Sequence, residues 1–322
     1  MVEALGSRLV KGPILVIGAA GMIGRKLVQR LSADGADLTL HDVVPFAGAS
    51  AVSDLSAPGE AEKLLAQRPQ LIFHLAAVVS GEAEADFDKG YRINLDGTRL
   101  LLDAIRLVEG YTPRLVFTSS IAVVGAPFPE SIPDEFHTTP LTSYGTQKAI
   151  GELLLADYTR RGFLDGVGIR LPTICVRPGK PNKAASGFFS NIIREPLAGQ
   201  EAVLPVSEDV MHWHASPRSA VGFLIHAATI DGERIGPRRN LTLPGVAVTV
   251  AEQIEALRRV AGDRVVARIR REPDPVIARI VGSWARRFDA TRAKALGFKA
   301  EESFDEIIRI HIEDELGGRF VA

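Results

Sequence analysis

Short apolar runs alternate with longer amphipathic ones through the first half of the chain. Near-continuous apolar stretches at 14–18, 37–42, 71–75, 114–119 and 167–171 predict strands. Most lack the polar alternation of a half-exposed sheet, so both sheet faces are expected to be covered. Between them the spacing predicts helices over 22–31, 59–67, 91–108 and 143–161. Repeated βα units of this kind predict an α/β fold, a Rossmann-like doubly wound parallel sheet. Ligands of such sheets bind beyond the carboxyl ends of the strands, where strand order reverses.

After Pro172 the pattern changes. Pro178, Gly179, Pro181, Gly187, Pro196, Gly199 and Pro205 crowd the next stretch, and the segments become short and mixed. Residues 1–172 are therefore read as the doubly wound domain. Residues 173–322 are read mainly as a smaller C-terminal substrate-binding region, partly returning to the sheet. Further helices are expected over 250–260, with Thr249 as cap, and over 303–316.

Gly18-Ala19-Ala20-Gly21-Met22-Ile23-Gly24 joins the first strand to the first helix. Glycines there allow a tight turn and close approach of a pyrophosphate, and the helix N-terminus offers N–H groups to that anion. About 20 residues on, Asp42 ends the second strand, where an acid suits the ribose hydroxyls of NAD and repels the 2′-phosphate of NADP. A second signal is Tyr144-Gly145-Thr146-Gln147-Lys148, which puts a phenol and an ammonium on one helix face. An adjacent ammonium is expected to lower the phenol pKa and make Tyr144 a usable base. Taken alone, the pair is also what an exposed helix face carries. Ser120 ends the strand upstream, placed to hold the oxygen that Tyr144 deprotonates; taken alone, a serine there also reads as a cap.

Composition narrows the reading. The chain has 322 residues with 38 basic and 39 acidic side chains. No basic face calls for nucleic acid and no polybasic segment for a membrane. Apolar runs stay short of the roughly 18 residues needed to span a bilayer. The first twelve residues show no signal-peptide pattern, so a cytoplasmic location is expected. The one cysteine, Cys175, lies in an apolar run and is expected to be buried and inert. His212 and His214 form an i, i+2 pair with no evident third ligand, so no metal is expected.

These motifs together resemble the extended short-chain dehydrogenase/reductases, the NAD-dependent epimerase/dehydratase family. The matching residues are Gly18, Gly21 and Gly24, Asp42, Asp54-Leu55, His74-Leu75-Ala76-Ala77, Asn94, Ser120, and Tyr144 with Lys148. The resemblance implies an NAD-dependent oxidoreductase with Tyr144 as acid/base, Lys148 as its partner and Ser120 orienting substrate. It implies a cofactor site made of Gly18, Gly21, Met22, Ile23, Gly24, Asp42, Asp54, Leu55, Leu75, Ala76, Ala77, Asn94, Tyr144, Lys148 and Pro172, with Asp54 on the adenine. It also implies a homodimer formed through the 91–108 and 143–161 helices.

Many nucleotide-sugar members of the family carry an arginine for the diphosphate where this chain has Val210, and a final aspartate where it has Pro217. The second half instead resembles the D-erythronate dehydrogenase branch through 162–166, 170–173, 177–183 and 194–197. That branch oxidises the C2 hydroxyl of a four-carbon sugar acid with NAD, giving a 2-oxo acid. Arg177, Lys180 and Lys183 with Asn182 form a basic loop suited to a carboxylate, since arginine offers a matching planar fork; a solvated basic loop reads the same way. Ser80, Ser120, Tyr144 and Thr173 complete the expected substrate site. A nucleotide-sugar epimerase or dehydratase with tightly held NAD, and a non-catalytic NAD-sensing protein, are the alternatives.

Overall fold

The computed structural model describes residues 12–179 and 185–322. Seven parallel strands form the central sheet. They are β1 (Ile14–Ile17), β2 (Leu38–Asp42), β3 (Ala51–Val52), β4 (Leu71–His74), β5 (Arg114–Ser120), β6 (Asp165–Leu171) and, after three short strands outside this sheet, β10 (Asn240–Thr242). Those three are β7 (Thr173–Ile174), β8 (Ala202–Leu204) and β9 (Met211–Ala215); β11 (Val246–Thr249) and β12 (Ile269–Arg271) follow β10. The spatial order is β10-β6-β5-β4-β1-β2-β3. The chain thus winds outward in one direction from β1 and in the other from β4, and the switch point lies between those two strands.

The buried pattern explains why these runs are strands. In β1, Ile14 and Val16 enter one core cluster and Leu15 and Ile17 the other, so alternate side chains serve the two faces. Helices Met22–Ala33 and Pro217–Thr229 cover the first face, while Glu60–Leu65, Gly97–Leu107 and Ser143–Arg160 cover the second. A third cluster unites Cys175, Phe189, Ile193, Ile254 and Ile308 in the C-terminal part, and a fourth joins Val123, Trp213 and Phe288 beside it. The antiparallel pair β9–β11 and the parallel pair β7–β9 make a small second sheet at this end.

The expected helices are present with shifted ends. The 91–108 helix is broken in character: Tyr91–Asp96 is a π-helical stretch running into the α-helix Gly97–Leu107. Such bulges carry one extra residue per turn, which apolar spacing does not reveal. Thr249 closes a full capping box with Glu252, and Ser303 caps Phe304–Leu316. The return of the second half to the sheet is β10, which pairs with β6 through Asn240 and Gly168. The two-residue β3 shows no apolar run to betray it.

The Ser143–Arg160 helix sits very close to the sheet. A Cβ on Gly151 would come within 2.7 Å of the Phe117 ring. One residue on, Glu152 is buried and accepts from Ser119 Oγ at 2.6 Å. It also forms a bidentate pair with Arg170, at 2.9 Å from Nε and 2.7 Å from Nη2. This network ties the helix to β5 and β6 at once. Removing one partner of a buried pair leaves an uncompensated charge. Glu152→Ala is therefore expected to cost about 3–5 kcal/mol, measured by equilibrium urea unfolding; a loss under 1 kcal/mol would show that the network is dispensable.

Candidate active site

The glycine turn leaves β1 at Gly18, whose φ is +90°. A Cβ there would lie 2.6 Å from the Ala76 nitrogen, and one on Gly24 would lie 2.1 Å from the Gly18 carbonyl oxygen. Both contacts require glycine. Gly21 plays a different part. It precedes Met22–Ala33, a helix with no side-chain cap and no acid in its first turn. Its first N–H groups are therefore left without a side-chain acceptor of the chain's own, as an anion-binding terminus requires.

Around this turn the strand ends converge. Asp42 Oδ2 accepts from the Ala20 N–H at 2.9 Å, and Oδ1 from the Val44 N–H at 3.2 Å. Asp54 accepts from the Ser56 N–H at 2.9 Å and the Ser56 hydroxyl at 2.6 Å, and pairs with Arg92. Leu55 is buried, and Leu75, Ala76 and Ala77 follow β4. Asn94 is buried on the π-helical stretch. It bonds both backbone groups of Val78, at 2.8 and 2.9 Å, and donates to Gln147 at 2.7 Å.

Thr142 caps the Ser143–Arg160 helix by accepting from the Gly145 N–H at 3.0 Å. Tyr144 lies in the first turn and Lys148 one turn further on, beside the end of β5. Lys148 is buried, and its Nζ donates to the Thr118 carbonyl at 2.8 Å. Burial pulls its pKa down to about 8, with Glu152 opposing. Ser120 Oγ accepts from the Ala122 N–H at 3.1 Å, and the Ser120 hydroxyl favours ionisation of the Tyr144 phenol. Ser120 therefore serves both as a cap and as a neighbour of Tyr144.

The charge balance at Tyr144 differs from the sequence expectation. Burial raises the phenol pKa above its ordinary value, and the Ser120 hydroxyl and the Arg177 charge oppose that rise. Lys148 Nζ stands 5.8 Å from the centre of the Tyr144 ring, committed to the Thr118 carbonyl. The cationic charge that opposes the rise comes from Arg177. Its Nε donates to the Ile174 carbonyl at 3.0 Å and its Nη2 to Ser186 Oγ at 3.0 Å. Sequence spacing could not show this, because Arg177 lies 33 residues from Tyr144.

The pattern of the NAD dependent epimerase/dehydratase family matches residues 14–214. The chain belongs to that family. It is 49% identical over 318 residues to a D-erythronate dehydrogenase of Cupriavidus necator, covering 94% of this chain and 98% of that one. It is 42% identical over 314 residues to a D-erythronate dehydrogenase of Haemophilus influenzae, covering 94% and 99%. A crystal structure described as the nucleoside-diphosphate-sugar epimerase from Agrobacterium tumefaciens superimposes with a TM-score of 0.92 at 69% identity, over 95% of each chain. An L-threonine dehydrogenase from Cupriavidus necator shares the fold at 23% identity, with a TM-score of 0.83 over 92% of this chain and 97% of that one.

The family's cofactor is NAD, and the crevice fits it. The close-packed glycine turn, the helix terminus free of side-chain acceptors and the acid at the end of β2 are the donor set a dinucleotide needs. The structure brings Gly18, Gly21, Gly24, Asp42, Leu75, Ala76 and Ala77 to the switch point. Asn94 spends its amide on Val78 and Gln147, holding the loop after β4 in place. Pro172 and Thr173 follow β6, whose Leu171 is the register partner of Ser120. Ser80 begins the short helix Ser80–Ala85. Lys180, Asn182 and Lys183 lie outside the described residues.

Among the described residues there is no cluster of histidine, cysteine and acidic groups that could hold a metal. His212 and His214 are buried and make other bonds: His212 to Thr173 and Ala285, His214 to Gln253. Cys175 is buried and its thiol is pushed up to about 12. Sequence reasoning missed Glu152, although it sits four residues past Lys148 on the same helix face. It also missed the approach of Ala285, which no sequence signal announces.

Five histidines titrate low because burial disfavours their charged form: His41, His74 at about 3, His212 and His311 at about 4, and His214. In the unfolded chain each takes its proton near pH 6.5. The unfolded state therefore binds more protons between pH 6.5 and about 4, and stability present above 6.5 is lost as pH falls through that window. Unfolding free energies measured from pH 7 to 4.5 should decline with net proton uptake on unfolding. A flat profile would mean that these imidazoles titrate normally in the fold.

Proposed function

We propose that the protein is an NAD-dependent dehydrogenase that oxidises the C2 hydroxyl of a small, D-erythronate-like sugar acid to the 2-oxo acid. The observation that carries this is Arg177, a half-buried guanidinium held by the Ile174 carbonyl and Ser186, whose charge acts on the Tyr144 phenol. A carboxylate is the substrate group that matches a planar fork beside an acid/base. The two D-erythronate dehydrogenases aligned over nearly their full length support the same substrate class.

In this reading Tyr144 Oη takes the C2 hydroxyl proton and Ser120 holds the same oxygen. Arg177 binds the carboxylate and shifts Tyr144 toward phenolate. Asp42 would hold the adenosine ribose, Asp54 and Leu55 the adenine, Met22 and Ile23 the pyrophosphate, and Lys148 the nicotinamide ribose. Bound NAD supplies the hydride acceptor. A homodimer is proposed through the Gly97–Leu107 and Ser143–Arg160 helices, which leave Leu107 70% and Leu153 68% exposed. A cytoplasmic location suits a chain with a single, buried cysteine.

The second reading is a nucleotide-sugar epimerase, favoured by the description of the Agrobacterium tumefaciens structure. Against it stands Val210, part of the C-terminal core's border, where many such enzymes place an arginine. Purified protein tested with four- to six-carbon aldonic acids separates the two. Net NADH formation supports the dehydrogenase; tightly held NAD with no NADH from any acid supports the epimerase.

Tyr144→Phe should lower turnover by about 10²- to 10⁴-fold while calorimetry still shows NAD binding. A variant keeping a tenth of wild-type turnover would remove Tyr144 from the acid/base role. Arg177→Gln should raise KM for the sugar acid by about 10- to 150-fold, with little change for an uncharged polyol of the same length; an unchanged KM would place the carboxylate elsewhere. NAD should be preferred over NADP, because Asp42 meets the 2′-phosphate with like charge. Equal catalytic efficiency with both would sink the role of Asp42.

A further inference from the structure

His212 is buried on β9 and links β7 to the segment at Ala285. Its Nδ1 lies 3.1 Å from the Ala285 carbonyl oxygen and its Nε2 lies 2.7 Å from Thr173 Oγ1. We propose that His212 orients the Thr173 hydroxyl so that Thr173 reads a substrate hydroxyl group as a hydrogen-bond acceptor. The inference rests on the function proposed above and deepens it.

The argument is one of donors and acceptors. A carbonyl oxygen can only accept, so His212 Nδ1 carries the ring hydrogen. Burial keeps the imidazole neutral at working pH. Nε2 is then a lone pair, and the Thr173 hydroxyl must donate to it. The ring cannot turn away from this task. It stacks on Phe189 at 5.2 Å and 5°, and lies 5.3 Å from Trp284. Thr173 is left with its one hydrogen committed and its oxygen lone pairs to offer.

Thr173 is partly exposed, two residues past the register partner of Ser120 and four before Arg177. The lone pairs repel a carboxylate and accept from a hydroxyl. Arg177 can only donate, and its positive charge favours the carboxylate. The two side chains together sort the groups of a polyhydroxy acid, with the carboxylate toward Arg177 and a hydroxyl beyond the reacting carbon toward Thr173. A plain 2-hydroxy acid satisfies only the first.

The test compares erythronate with 2,4-dihydroxybutanoate and 2,3-dihydroxybutanoate, each lacking one further hydroxyl. Wild type should favour erythronate over one of the two. In Thr173→Val, which keeps the shape and removes the oxygen, that kcat/KM ratio should fall by about tenfold, chiefly through KM. His212→Phe, which keeps a stacked ring, should lower the same ratio by freeing the threonine hydrogen. An equal loss on all three acids, or an unchanged ratio in Thr173→Val, would reduce the pair to a structural hydrogen bond and overturn the proposal. Nitrogen-15 NMR of labelled histidine gives an arm independent of activity. His212 should show the Nδ1–H tautomer, with its Nε2 signal moving downfield in Thr173→Val; an Nε2–H tautomer overturns the proposal. Absence of NADH from every acid would instead remove the functional reading, and the tautomer would still decide which way the Thr173 hydroxyl points.

Discussion

The catalytic end of the sheet depends on how one helix is held against two strands. Glu152 is buried with Arg170 and Ser119, and a single turn earlier Lys148 donates to the Thr118 carbonyl. Two opposite charges on one helix are each satisfied by the neighbouring strands, so the helix can neither slide nor rotate without exposing a buried charge. Gly151 removes the side chain that would stand between helix and β5. This clamp fixes the helix that carries Tyr144 against the strand that ends in Ser120. It also explains why the charge of Lys148 is tolerated in a buried place at all: Glu152 offsets part of the desolvation.

The clamp commits Lys148 to the scaffold, and this changes which cation matters electrostatically at Tyr144. Arg177 reaches the site from the loop after β7, held by the Ile174 carbonyl and Ser186. A guanidinium can keep its charge in partial burial where an ammonium surrenders it. One side chain is thus available both to stabilise phenolate and to meet a carboxylate. Substrate recognition and proton transfer are coupled through a single charge in this reading.

The proposed substrate side draws on parts far apart in the chain. Thr173 comes from β7, His212 from β9, and Ala285 from the segment leading to the C-terminal helices. The histidine pair sits in an aromatic cluster with Phe189 and Phe304, where burial disfavours the charged form of both rings. Burial, by suppressing protonation, turns His212 from a titrating group into a fixed acceptor.

The sequence by itself determined the doubly wound sheet, the glycine turn, the acid at the end of β2 and the Tyr144–Lys148 spacing. Each is a local pattern: apolar runs, glycines and an i, i+4 pair express constraints that act within a few residues. It also determined that the chain returns to the sheet, though not where, since β10 has only three residues. Tertiary structure alone decided that Asn94 staples the loop after β4, that Lys148 faces a carbonyl, and that the charge of Arg177 acts on Tyr144. Only the packed structure could remove the expected lowering of the Tyr144 pKa, because that shift is a balance between burial and charges whose distances the spacing of residues does not encode.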